Sequence, residues 1–262
     1  MYEVTVGGGL RIITSLQAML IGGDRILRLE GSLSASMNFI MGLISPAPPT
    51  LEASGASGSA IMNGYAGGHG HGHGKAAPAA PLALSQAVAE ATRLGILERQ
   101  PMNDLRGVEM AQKLLVLARE MGVPLRLDDV AIETLLPPGT AFDAIAEHDA
   151  AVAARVAAAA ARGAVLRYVA TINGEGKAEI GIREVPYAHP FATVRGAGYC
   201  FRIFSAFHSP DPITIQGTIG SPKATAAGLF SDLLFVAQRL GAKDKGHTLQ
   251  GQGILSDSVI EP

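Results

Sequence analysis

Apolar residues at Ile12, Leu16, Met19 and Leu20 share one helix face, and they lie between the run Gly7–Gly9 and the pair Gly22–Gly23. The pattern predicts a glycine turn leading into a helix. Arg25 to Glu30 alternates as a strand, and Ser34 to Ile44 opens a second helix. A third helix is predicted through Leu84, Val88, Ala91 and Leu94, with Gly95 as its stop. Asp104 reads as an N-cap for a helix from Leu105 to Met121, ended by Gly122 and barred by Pro124. An alanine-rich helix from Asp143 to Arg162 closes at Gly163.

After Gly163 the period changes to two. VLRYVATI and KAEIGIREV flank Asn173-Gly174, a hairpin signal, and further strands are expected at Phe191–Val194, Tyr199–Ala206 and Pro212–Gln216. A last helix runs from Thr225 to Leu240 and stops at Gly241. Helices gathered early and a strand meander late predict an α+β fold, with helices packed on one face of a largely antiparallel sheet.

Residues 46–83 break these periods. They are built mainly from Pro, Ala, Ser and Gly, with GHGHGHG at 68–74, and are expected to be a disordered surface insertion. The domain is then expected to comprise residues 1–45 and 84–243, followed by a loose tail, 244–262. His69, His71 and His73 could bind Ni²⁺ or Zn²⁺ loosely, but in so biased a segment they are read as solvated composition. Of the 262 residues 48% are hydrophobic and 17% charged, and the net charge of −2 leaves no basic footprint for nucleic acid. The most apolar long stretch, residues 150–170, is interrupted by Arg155, Arg162 and Arg167, so no membrane span is expected. The start lacks the layout of a signal or transit peptide. A lone cysteine, Cys200, fits a reducing compartment, cytoplasm or plastid, and reads as a buried strand residue.

The segment ERQPMNDLRGVEMAQK puts Glu98 and Asp104 on a loop leading into a helix, then Glu109 and Lys113 one turn apart on one face. Carboxylates can hold an ammonium group, and a lysine can handle a proton at a developing alkoxide. The plainer reading is that Asp104 caps the helix and Glu109–Lys113 is a solvated ion pair.

VGGGLRIITSLQAMLIGGDRILRLEGSLSASMNFI resembles the start of the homoserine dehydrogenase catalytic domain, in which VG-G/A-G-L/I-P-I-I leads into EG-x-x-S-G-T. LGILERQPMNDLRGVEMAQKLLVLARE is similar to the G-Y-T-E-P-D-P-R-D-D-L-x-G-x-D-V-A-R-K signature of that family, found in plants, fungi and bacteria. LRYVATI, YAHPFATVRG and ITIQGTIGSPKATAAGLFSDLL follow in the family's order. The resemblance implies NAD(P)-dependent interconversion of L-aspartate 4-semialdehyde and L-homoserine, a step toward threonine, methionine and isoleucine, by a homodimer formed through sheet pairing. It implies substrate binding by Glu98 and Asp104, with Glu109 close to the substrate and Lys113 in proton transfer. It implies a monovalent cation, Na⁺ or K⁺, at Glu3, Val6, Gly8 and Leu10, ligated mostly through carbonyls. Gly7, Gly8, Gly9, Gly217 and Gly220 would lie near the nicotinamide of NADP or NAD.

The chain departs from the family pattern at several places. Arg11 stands for proline, Ala35-Ser36 for Gly-Thr, Arg99-Gln100 interrupts E-P-D-P, Asn103 replaces an aspartate, Glu109 lengthens another, Gln112 replaces arginine, and Ile219 and Ser221 replace glycines. No strand is followed by G-x-G-x-x-G, the fingerprint of the family's N-terminal dinucleotide-binding domain. The chain is therefore expected to be a fragment of a longer enzyme. The alternative is a non-catalytic paralogue that serves as a dimerising or regulatory module.

Overall fold

The computed structural model of the chain describes residues 2–48, 80–217 and 222–241. The histidine run, Gly220 and the expected C-terminal tail lie outside the described residues. Six strands form one sheet: β1 (Ile26–Ser32), β2 (Val130–Ile132), β3 (Ala164–Asn173), β4 (Ala178–Pro186), β5 (Tyr199–Ser205) and β6 (Ile213–Gly217), ordered β2-β4-β3-β1-β5-β6. Among the described residues only the β2–β4 pairing is parallel. Strand β2 has three residues, too few for its sequence to show a period.

The first strand in the chain becomes a central one. Leu29 pairs with Ile172 on one side and Ile203 on the other, so these three share a sheet face. That face carries the main core, joined by Leu166, Tyr168 and Ala170 of β3 and by the apolar faces of α1 (Ile12–Ile21), α2 (Ala35–Ile44), α3 (Leu84–Arg93) and α5 (Val108–Glu120). Each large side chain fully buried there contributes roughly 1.5–3 kcal/mol. The α+β expectation is met. Two more helices, α6 (Asp149–Ala161) and α7 (Pro222–Gly241), complete the set with the short α4 (Pro101–Leu105). Among the described residues no helix is long and apolar enough to cross a membrane.

A smaller cluster of Val165, Val169, Val185, Phe191 and Cys200 lies on the opposite sheet face. Burial there pushes the Cys200 thiol up to about 12, as its reading as an inert strand residue requires. Arg167, on the same face, donates to the carbonyls of Phe191 (3.1 Å), Ser45 (2.8 Å), Leu166 (2.8 Å) and Ala192 (3.1 Å). Desolvation, with Arg195 nearby, brings its guanidinium down to about 9.

Local expectations shift at four places. Asp104 is not a cap: it lies inside the short α4, and the long helix starts only at Val108, entered through Gly107 at φ 78°. The alanine-rich helix is α6 alone, since Phe142–His148 winds as a tighter 3-10 turn. The β3–β4 hairpin forms, but with a longer loop than Asn173-Gly174 suggests. Asn173 Oδ1 accepts from the amides of Glu175 (3.1 Å) and Lys177 (2.9 Å), while Gly176 takes the left-handed position. The strand expected at Phe191–Val194 is a 3-10 turn, Pro190–Thr193, because Pro190 sets φ at its first position and His189 Nδ1 accepts from the Phe191 amide (3.2 Å).

Candidate functional site

The β1–α2 junction forms one wall. Ser34 is in extended conformation and its hydroxyl accepts the Met37 amide (3.2 Å), which caps α2. The same hydroxyl donates to Asp104 Oδ1 (3.1 Å), seventy positions on. It also lies 2.9 Å from the Ser36 hydroxyl. Since Ser34 has one proton, committed to Asp104, Ser36 donates in that pair. The bonds therefore run from Ser36 to Ser34 to Asp104. Asp104 is 2% exposed, and its Oδ2 has no hydrogen-bond partner among the described residues.

From Asp104 the chain turns through Gly107 into α5, which carries Glu109 and Lys113. Both are half-buried, and the solvated ion pair expected between them is absent from the ion pairs of the described residues. On a helix, residues 109, 113 and 120 fall on one stripe. At its far end Glu120 accepts from Gln17 Nε2 of α1 (2.8 Å) and from the Tyr2 hydroxyl. Glu98 sits exposed on the loop before α4.

The glycine run makes a second wall. Gly7, Gly8 and Gly9 take φ values of 81°, 55° and 99°, and Arg11 follows in the left-handed region at 55°. At Gly7 a Cβ would stand 3.0 Å from the Phe201 ring, which adds a tight contact to the strain of its left-handed φ. Gly9 is open, with only the Ala224 carbonyl at 3.6 Å from such a Cβ. At Gly217 a Cβ would stand 2.6 Å from Leu10 Cδ2, the tip of a half-buried side chain. Glu3 is buried and caps α1 with both oxygens, accepting from the amides of Ile13 (3.1 Å) and Thr14 (2.9 Å) and from the Thr14 hydroxyl. The carbonyls of Val6, Gly8 and Leu10 accept no hydrogen bond from the described residues. A cleft of about 200 Å³, lined by Glu3, Gly9, Arg11, Ala224, Gly228 and Asp232, separates this run from α7. Asp232 Oδ2 accepts the Glu3 amide (2.9 Å).

Sequence reading found Asp104 but not what holds it. A serine before an apolar helical run was a visible cap signal at Ser34; its bond to Asp104 was not. Asp232 carried no signal at all.

Residues 74–234 match the family model described as homoserine dehydrogenase. A bifunctional aspartokinase/homoserine dehydrogenase of Haemophilus influenzae is 32% identical over 246 residues, covering 91% of this chain and 26% of that protein. The chain thus spans about a quarter of the length of that relative. Among solved structures, a Candida auris protein of unknown function is 28% identical with a TM-score of 0.71, over 90% of this chain and 60% of that one. A hyperthermophilic archaeal homoserine dehydrogenase in complex with NADPH shares the fold at 21% identity and a TM-score of 0.57, over 91% of this chain and 56% of that one. With the family model matching more than half of its length, and the glycine run, the Ser34–Asp104 junction and α5 set in one fold, the chain belongs to the homoserine dehydrogenase family.

Proposed function

We propose that this chain carries the substrate side of an NAD(P)-dependent homoserine dehydrogenase, interconverting L-aspartate 4-semialdehyde and L-homoserine. One observation carries the reading. The Asp104 carboxylate is buried, one oxygen held by Ser34 and the other without a partner among the described residues. Leaving a buried charged acceptor unpaired costs on the order of 1–3 kcal/mol or more. A substrate ammonium supplies both the missing donor and the counter-charge. Glu98, on the loop just before, takes another N–H of the same ammonium, and Glu109 adds negative charge along α5. Lys113, without an ion-pair partner among the described residues, gives its proton to the substrate oxygen during reduction and receives it back during oxidation.

A nicotinamide cofactor, NADP or NAD, supplies or accepts the hydride when bound; the archaeal neighbour in complex with NADPH supports this class. Gly9 is this chain's best fit to it, because a Cβ there would meet only the Ala224 carbonyl among the described residues, and Gly8 is proposed beside it. At Gly7 and Gly217 an added Cβ would also meet Phe201 and Leu10, so packing is a further reason for the glycine there. The Val6, Gly8 and Leu10 carbonyls suit a monovalent cation, Na⁺ or K⁺, since an oxygen already bonded to an amide would be a poorer ligand; Glu3, whose two oxygens are taken by Ile13 and Thr14, fits such a site less well. A second copy of the chain is the proposed partner, through a sheet whose strand β6 has no neighbour on its outer side among the described residues.

The test is reduction of L-aspartate 4-semialdehyde with NADPH by this chain joined to a dinucleotide-binding domain, followed by nicotinamide absorbance. Lys113→Ala should lower turnover by roughly 10²–10⁴-fold, the range of general acid catalysis. Undiminished turnover would remove the role assigned to Lys113. A second reading, the non-catalytic dimerising module, is favoured by the substitutions at Arg11, Asn103, Gln112, Ile219 and Ser221. Saturable NADPH binding by the purified chain would exclude it.

A further inference from the structure

We infer that Ser34 is a positioning residue for the substrate ammonium, acting through Asp104; the inference rests on the reading of Asp104 as a substrate-binding group. Ser34 joins two functions in a single oxygen. Its lone pair takes the Met37 amide, so the start of α2 fixes where the oxygen sits, and its proton goes to Asp104 Oδ1. With the Ser34 proton given to Asp104, the Ser36 hydroxyl, 2.9 Å away, donates to the remaining lone pair of the same oxygen.

The arrangement has a directional consequence. A carboxylate free to rotate would present either oxygen, or a mixture, to a ligand. With Oδ1 tied to a hydroxyl that is itself fixed by a helix terminus, Oδ2 is the oxygen left over, and it is the one without a partner. Asp104, Ser34 and Ser36 are all nearly fully buried, so water does not stand in for these bonds at bulk strength. An ammonium arriving at Asp104 therefore meets an acceptor already oriented, and less of its binding free energy is spent on ordering that acceptor.

Capping and positioning separate experimentally because glycine caps a helix nearly as well as serine and has no proton to give. L-homoserine binding would be measured by calorimetry on the whole chain, in the wild type and in Ser34→Thr, Ser34→Gly and Ser34→Ala. Ser34→Thr keeps both roles of the hydroxyl and should recover binding to within a few fold. Ser34→Gly and Ser34→Ala should both bind about tenfold more weakly, as loss of one hydrogen bond to a charged group requires. If Ser34→Gly binds as the wild type does while Ser34→Ala does not, Ser34 is a cap only and the inference is overturned. Equal binding by all four proteins overturns it as well. A folded wild type that takes no L-homoserine instead overturns the reading of Asp104, and the inference falls with its premise. Should Ser34→Ala fail to fold, Ser34→Gly against Ser34→Thr decides alone.

Discussion

The placement of Glu109 and Lys113 depends on a residue that touches neither. Gly107 enters α5 at φ 78°, and a Cβ there would press on the Tyr168 hydroxyl, with Ile132 Cγ2 and Tyr168 Cε1 each 3.2 Å away. Tyr168 cannot readily retreat. It is fully buried and donates its hydroxyl to the Glu133 carbonyl (2.9 Å), which binds it to the loop after β2. Gly107→Ala therefore incurs two costs: about 1–3 kcal/mol for a left-handed non-glycine residue and about 1–3 kcal/mol for overpacking. Their sum, about 2–6 kcal/mol, is a large share of the stability of an ordinary domain. At about 2–4 °C per kcal/mol for a chain of this size, Tm should fall by on the order of 10 °C. Thermal melts followed by circular dichroism would measure it. Tyr168→Phe removes the hydroxyl that a new Cβ meets first, at the cost of about 1 kcal/mol for the lost bond. The double variant should accordingly be more stable than the sum of the single effects, with coupling of about 1–2 kcal/mol. Strict additivity, or a Gly107→Ala protein that melts within about 2 °C of the wild type, would refute the argument.

Asp104→Asn removes a buried charge with an unpartnered oxygen, so it should melt no lower than the wild type yet lose L-homoserine binding by at least about tenfold; a lower Tm with binding intact would contradict both halves. His189 should make stability depend on pH. Burial lowers its affinity for a proton, the neighbouring Arg202 (Nη1 2.7 Å from Nε2) lowers it further, and Glu30 only partly opposes them. The unfolded chain then binds the proton first. Stability is full above the ordinary imidazole value near 6.5 and declines as pH falls through it toward the lower folded value. Urea titrations between about pH 7 and pH 5 should show this decline, and His189→Gln should flatten it. Cys200, buried with its thiol pushed up to about 12, should resist thiol reagents in the native protein and react only on unfolding; rapid native labelling would show the β5 face to be open.

What the sequence alone determined is whatever repeats locally or sits within one turn of its partner. The apolar spacing of α1, α2 and α3, the stops at Gly22 and Gly95, and the hairpin around Asn173 are set by periodicity and by φ, and each is found within a residue or two of its expected place. The candidate chemistry at Glu98, Asp104, Glu109 and Lys113 was visible because these residues share one loop-to-helix segment. The tertiary structure decided which of them has a partner. Asp104 looked like a cap because aspartate before an apolar run usually is one, and only the approach of α2 shows its carboxylate tied to Ser34. Glu109 and Lys113 looked like a pair at helical spacing, yet each is half-buried without the other. At Gly7 and Gly217 the fold adds a packing reason for the missing side chain, with Phe201 against one and Leu10 against the other. β1 became central only because β3 and β5, far along the chain, pair on either side of it. The physical reason is common to all of these. Local periodicity depends on backbone geometry that each residue carries with it, whereas burial, hydrogen-bond partnership and open space are set by groups that only folding brings together.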